Sequence, residues 1–125
     1  MLGALYVCGS NSNGQLGALF SKEIKTANQL FSLREDGAVK VACGEKHTLV
    51  LMKDGSVLSC GSNEHMQLGR ETKETFCCHL NQVKNLDGLV MKDVSCWNMS
   101  ACIDQEKNLY VWGTLIGKNE SFQIE

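Results

Sequence analysis

The sequence predicts an all-β protein, an arc of a β-propeller built of four-stranded antiparallel blades. Three observations lead there: a glycine-centred run recurs at fixed spacing, strand-like segments fill each repeat, and tight-turn chemistry separates them. Leu5 to Gly17 reads LYVCGSNSNGQLG and Val57 to Gly69 reads VLSCGSNEHMQLG. Gly9, Gly61 and Gly113 stand 52 residues apart, as do Leu5, Val57 and Leu109, and Cys8, Cys60 and Trp112. The stretch VACGEKHTLVL from Val41 is echoed by VSCWNMSACID from Val94, 53 residues later. A fixed period of this size marks repeated supersecondary units.

The elements follow in order. Leu5 to Cys8 is a short β-rich run, and Ser10-Asn11-Ser12-Asn13-Gly14 supplies turn residues that tolerate positive φ. Residues 18–38 carry little pattern beyond Leu30-Phe31-Ser32-Leu33, read as an outer strand or a helical turn, and a charged turn at Arg34 to Gly37. Val39, Val41 and Cys43 alternate with Lys40 and Ala42, the period of a strand. Gly44-Glu45-Lys46 reverses the chain, Thr48 to Met52 returns, Asp54-Gly55 is a hairpin signal, and Val57 to Cys60 follows. Cys78, Leu80 and Val83 suggest a fourth strand. In the third unit the strands are Val94 to Cys96, Ala101 to Ile103 and Leu109 to Trp112, and the last eight residues read as a fraying end. The units are therefore a partial blade over 1–38, the most complete repeat over 39–90 and a degenerate repeat over 91–125. Four short antiparallel strands per period near 50 fit a propeller blade.

Composition narrows the function. A chain of 125 residues is normally one domain, and its 21% of charged residues suit a globular surface. No apolar run approaches the roughly 20 residues that span a bilayer, so no membrane partner is expected. The N-terminus lacks the charge and apolar run of a signal peptide, which points to cytosol or nucleus. A net charge of -2 without a basic block argues against direct nucleic-acid binding. Of seven cysteines, Cys8, Cys60, Cys43, Cys96 and Cys102 fall at repeat positions and are expected in the strand core, Cys102 in the place of Leu49. Cys77-Cys78-His79 has no second ligand pair and is not read as a zinc site.

Kelch blades share the period but carry a Gly-Gly doublet, which this chain lacks. The order V-x-x-G-x-x-H-T at Val41, Gly44, His47 and Thr48, then Asp54-Gly55, then G-S-N-x-x-x-Q-L-G over Gly61 to Gly69, resembles a repeat of the RCC1-like (regulator of chromosome condensation) family. That resemblance implies a ring of seven blades whose first and last strands share a blade. It marks Gly9, Gly17, Gly44, His47, Gly55, Gly61, Gly69 and Gly113 as structural repeat positions. The chain departs from the pattern in having no proline, in Ser100 opposite His47, in Trp97 for Gly44, and after Gly113. An arc of two and a half units leaves open flanks, so further blades or self-association are expected to close the ring.

No catalytic constellation stands out. His47 is expected to hydrogen-bond neighbouring loop backbone, Asp54 belongs to its hairpin and shares no repeat position with Asp104, and Gly9 to Gly14 lacks a P-loop lysine and helix. Trp112 is expected in the core. Trp97, in place of a turn glycine, is expected at the surface and is the candidate contact residue. The expectation is a non-catalytic protein-interaction module without cofactor or metal. The alternative, implied by resemblance alone, is a guanine-nucleotide exchange factor for a Ran-type small GTPase.

Overall fold

The computed structural model describes residues 4–18, 22–30, 37–113 and 122–124. The strands are β1 (Tyr6–Ser10), β2 (Glu23–Gln29), β3 (Ala38–Cys43), β4 (His47–Met52), β5 (Val57–Ser62), β6 (Phe76–Gln82), β7 (Met91–Cys96), β8 (Met99–Asp104), β9 (Leu109–Gly113) and β10 (Phe122–Ile124). They form three antiparallel sheets, β1-β2, β3-β4-β5-β6 and β7-β8-β9-β10. The second and third sheets are complete four-stranded meanders. The first is the outer half of a blade, because Gly9 of β1 holds the place that Gly61 holds in β5.

Blade two is the centre of the arc. In β4, Leu49 and Leu51 join Val57, Met91, Val94, Cys102 and Trp112 in a core shared with blade three. Val50 and Met52, pointing the other way, join Leu58, Leu5 and Leu80 against blade one. Alternation thus buries both faces of one strand. Burial of each such side chain contributes about 1.5–3 kcal/mol. Inner strand β7 packs against β3 and β4, and an exposed Lys40–Asp93 ion pair joins the inner strands.

Four expectations need correction. The outer strand of the first unit is β2, upstream of Leu30 to Leu33. Its sequence, EIKTANQ, is mostly exposed on both faces, so it carries no apolar period. Leu30 itself is buried and its N–H donates to the Leu5 carbonyl at 2.8 Å. Phe31 to Leu33 and the expected charged turn at Arg34 to Asp36 lie outside the described residues. The C-terminal segment is not simply a fraying end, since Phe122–Ile124 pairs with β9.

The repeat spacing also changes inside the unit. Cys43 pairs with Thr48 and Cys96 with Ser100, while His47 pairs with Gly61 and Met99 with Gly113. The three-residue turn Gly44-Glu45-Lys46 has become the two-residue turn Trp97-Asn98. Spacing therefore drops from 53 in the inner strand to 52 after the turn. Met99 stands in the place of His47, Ser100 in that of Thr48, and Cys102 in that of Val50, not Leu49.

Cys60 and Cys102 are buried and Cys96 partly so, but Cys8 and Cys43 are exposed. Both line an apolar cleft of about 180 Å³ between blades one and two, with Val41, Leu16 and Leu80. No inner strand of blade one covers them among the described residues, which also leaves Tyr6 58% and Val39 59% exposed.

Candidate protein-interaction face

The loops that end β1 and β5 share one construction. Asn11 Oδ1 accepts the Leu16 N–H at 3.0 Å, and Asn63 Oδ1 accepts the Leu68 N–H at 3.1 Å. Their amide nitrogens donate to the carbonyls of Ala18 and Arg70. Gln15 Oε1 accepts the Asn13 N–H and Gln67 Oε1 the His65 N–H, both at 2.9 Å. Side chains thus replace the backbone partners that a tight loop cannot supply. The backbone carbonyls of the two glutamines point into the next blade. Gln15 O accepts from Thr48 Oγ1 at 2.8 Å and Cys60 Sγ at 3.4 Å. Gln67 O accepts from Ser100 Oγ at 2.6 Å and Trp112 Nε1 at 2.9 Å. Each G-S-N-x-x-x-Q-L-G loop is therefore a plug that fixes one blade to its neighbour.

His47 belongs to this lock. Only 1% exposed, it shares a 2.9 Å hydrogen bond between Nε2 and Ser100 Oγ. Because Ser100 donates to Gln67 O, His47 Nε2 is the donor in this bond. The expected bond to loop backbone is thus relayed through a hydroxyl of the next blade. Burial pushes the imidazole down to about 4. An unfolded histidine titrates near 6.5, so the unfolded chain takes up the proton first. This contribution to stability is complete above about pH 6.5 and is lost as pH falls toward about 4, by on the order of 3 kcal/mol. The urea midpoint is expected to fall between about pH 7 and pH 5, and His47→Gln is expected to flatten that slope. An unchanged slope in His47→Gln would contradict the assignment.

The remaining polar groups are mostly structural. Arg70, buried, donates from Nη2 to the carbonyls of Ser59 at 2.7 Å and His79 at 3.0 Å, stapling the loop to β5 and β6. Asp54 Oδ1 accepts the N–H and hydroxyl of Ser56 in its hairpin. Burial alone would raise the Asp104 carboxyl, but the Asn108 N–H and amide, the Glu106 N–H and the Tyr110 hydroxyl hold it below the usual carboxylate range. Burial pushes the thiols of Cys60, Cys96 and Cys102 up to about 12, which favours the protonated thiol over the reactive thiolate. Among the described residues no cluster of three metal-ligating side chains occurs.

Trp97 differs from all of these. It is 73% exposed. Its N–H donates to the Met99 carbonyl and its carbonyl accepts the Glu45 N–H, each at 3.0 Å, so the backbone is held while the indole faces solvent. Gly44 explains the close approach of the two turns: a Cβ there would lie 2.4 Å from the Trp97 carbonyl oxygen and 2.6 Å from the His47 ring. Beside this turn a cleft of about 250 Å³ is lined by Glu45, Lys46, Glu64, His65 and Asn98, among others. Turn and cleft lie at the plug end of the strands.

Two family models of the regulator of chromosome condensation (RCC1) repeat match the chain, over residues 3–51 and 38–67. The chain belongs to the RCC1 repeat family. It is 32% identical over 112 residues to the secretion-regulating guanine nucleotide exchange factor of Bos taurus, covering 90% of this chain and 24% of that protein. It is 31% identical to the human X-linked retinitis pigmentosa GTPase regulator, covering 87% of this chain and 11% of the relative. The crystal structure of Prp20p from Saccharomyces cerevisiae, described with its binding to Gsp1p and histones, superposes with a TM-score of 0.78 at 26% identity, over 91% of this chain and 29% of that one. The chain thus spans about a quarter or less of these two relatives.

Within this RCC1 arc, six of the glycines expected to be structural, Gly9, Gly17, Gly55, Gly61, Gly69 and Gly113, have positive φ. Trp97 is at the surface and Trp112 in the core, as expected. The plug residues Asn11, Asn63, Gln15 and Gln67 escaped notice as functional groups although their spacing of 52 was visible. Arg70 had no repeat signal, since the first unit has Ala18 in its place.

Proposed function

We propose that this chain is a non-catalytic protein-binding module of an RCC1 propeller, engaging its partner through the plug-end face around Trp97. The observation that carries the reading is the exposed indole on a hydrogen-bonded backbone, at a turn where blade two has glycine. A large aromatic side chain on a fixed backbone loses little freedom on binding and is a typical energetic anchor. The buried His47 side chain is engaged with Ser100 of the next blade, which supports a structural role for it. All seven cysteines are free, which suits the reducing cytosol or nucleus.

The test is affinity capture with the native chain and two variants. Trp97→Ala is expected to weaken partner retention by about 2 kcal/mol or more, roughly thirtyfold. Asp87→Ala, beside the Asp54-Gly55 hairpin at the opposite end of the strands, is expected to leave retention unchanged. Equal retention by Trp97→Ala and the native chain would move the binding surface elsewhere. Similarity to the bovine exchange factor supports a second reading, that the chain is part of a guanine-nucleotide exchange factor for a small GTPase. Accelerated release of fluorescent GDP from a panel of small GTPases would favour that reading over a passive module.

A further inference from the structure

We propose that the Trp97 face accepts an arginine side chain presented by a protein partner, its guanidinium stacking on the indole while Glu45 and Glu64 supply the counter-charge. The proposal rests on the binding role of this face and adds the chemistry of what is bound. Three observations converge. Trp97 offers an open aromatic ring on a backbone held at both its N–H and its carbonyl. The Glu45 N–H donates to the Trp97 carbonyl, so the turn that carries one carboxylate is docked against the turn that carries the ring. The adjoining cleft of about 250 Å³ brings a second exposed carboxylate, Glu64, against a single ammonium, Lys46, with Asn98 and Gln67 as further polar lining.

This combination selects among side chains. An acidic group would meet two carboxylates, and an aliphatic one would desolvate a polar cleft without replacing its hydrogen bonds. A lysine ammonium is compact and strongly hydrated, and would stay in water beside Lys46. Guanidinium is planar, weakly hydrated and able to stack on an indole while donating in-plane hydrogen bonds to carboxylates.

The experiment is an NMR titration of the full 15N-labelled chain with acetyl-Gly-Arg-Gly-amide and its lysine, glutamine and glutamate counterparts. The two tryptophans give separate indole N–H signals, assigned with Trp97→Phe, and buried Trp112 serves as the internal control for folding. The arginine peptide is expected to move the Trp97 indole signal and the amides of Glu45 and Glu64 along one saturating curve. The lysine peptide is expected to bind roughly threefold or more weakly, the size of an exposed cation–π contact. The double variant Glu45→Gln, Glu64→Gln is expected to weaken the arginine peptide by at least a similar, roughly threefold, factor with the Trp112 signal in place. Equal shifts with the glutamine peptide, no saturating shift with arginine, or an unaltered affinity in the double variant would each overturn the proposal. If partner capture still depends on Trp97 in that event, the surface stands and the arginine assignment falls. If capture is indifferent to Trp97, the surface itself falls.

Discussion

Gly61→Ala is expected to abolish cooperative folding, whereas Gly9→Ala, at the equivalent position of the first unit, is expected to be tolerated. Both glycines have similar left-handed backbones, with φ of +113° and +107°, so the strain of adding a Cβ is shared, at about 1–3 kcal/mol. Their surroundings differ. A Cβ on Gly61 would lie 2.5 Å from the Lys46 carbonyl oxygen and 2.6 Å from the His47 Cα, both backbone atoms of the neighbouring chain segment. Backbone cannot yield as a side-chain tip can, and the displaced segment holds the His47–Ser100 bond. The total loss at Gly61 is expected to exceed about 4 kcal/mol, a range reserved for a few severe mechanisms. A Cβ on Gly9 would meet nothing within 4 Å. Urea unfolding monitored by circular dichroism separates the cases. Equal, severe losses at both glycines would show that the inner edge of β1 is covered by a strand in solution.

Trp112→Ala is expected to destabilise the chain by about 3–5 kcal/mol, the usual range for deleting a buried tryptophan. Trp112 is 1% exposed and sits in the core between blades two and three with Leu49, Val57 and Val94. Its indole N–H also holds the Gln67 carbonyl, and its ring is close enough to Gly69 that a Cβ there would lie 2.8 Å from Nε1. The truncation therefore opens a cavity and releases the second plug together. Trp112→Cys restores the residue type of Cys8 and Cys60, and Cys60 still donates weakly to the corresponding carbonyl of Gln15. Its loss is expected to be smaller than that of Trp112→Ala. Thermal melts of the two variants decide this, and a near-neutral Trp112→Ala would contradict the claim that blade packing runs through this residue.

These positions also show what the sequence could carry. Glycine and short apolar runs at a fixed spacing were enough to read the blades, because turns and buried strands constrain residue type at each repeat. Trp97 was legible for the same reason, as an aromatic residue where the unit calls for glycine. The outer strand β2 was not legible: with both faces mostly exposed, Glu23 to Gln29 needs no alternation. The repeat counterpart of His47 was misplaced because one residue is lost between Cys96 and Met99, which shifts spacing from 53 to 52 within a turn. Ser100 proved to be the hydroxyl that His47 binds, an equivalent of Thr48 in the next blade. Exposure of Cys8 and Cys43 was hidden for another reason. Their type is set by the repeat, but their burial depends on a neighbouring pair of inner strands that blade one does not have among the described residues.

The cleft beside Trp97 was the least visible feature. Glu45 and Glu64 are 19 positions apart and Trp97 belongs to the next unit, so only the docking of two turns brings them to one end of the arc. The lock that aligns them is backbone chemistry, through the Trp97 carbonyl and the Glu45 N–H, and its mark in residue type is Gly44, where a Cβ would meet the Trp97 carbonyl.

Hydrogen exchange of the chain, free and bound to a partner recovered through Trp97, tests the account most directly. The account predicts added protection in the turns Gly44 to Lys46, Glu64 to His65 and Trp97 to Met99, with no change at Asp54 to Ser56 or Leu86 to Leu89. Protection confined to those opposite turns, or to the outer strand β6, would contradict it.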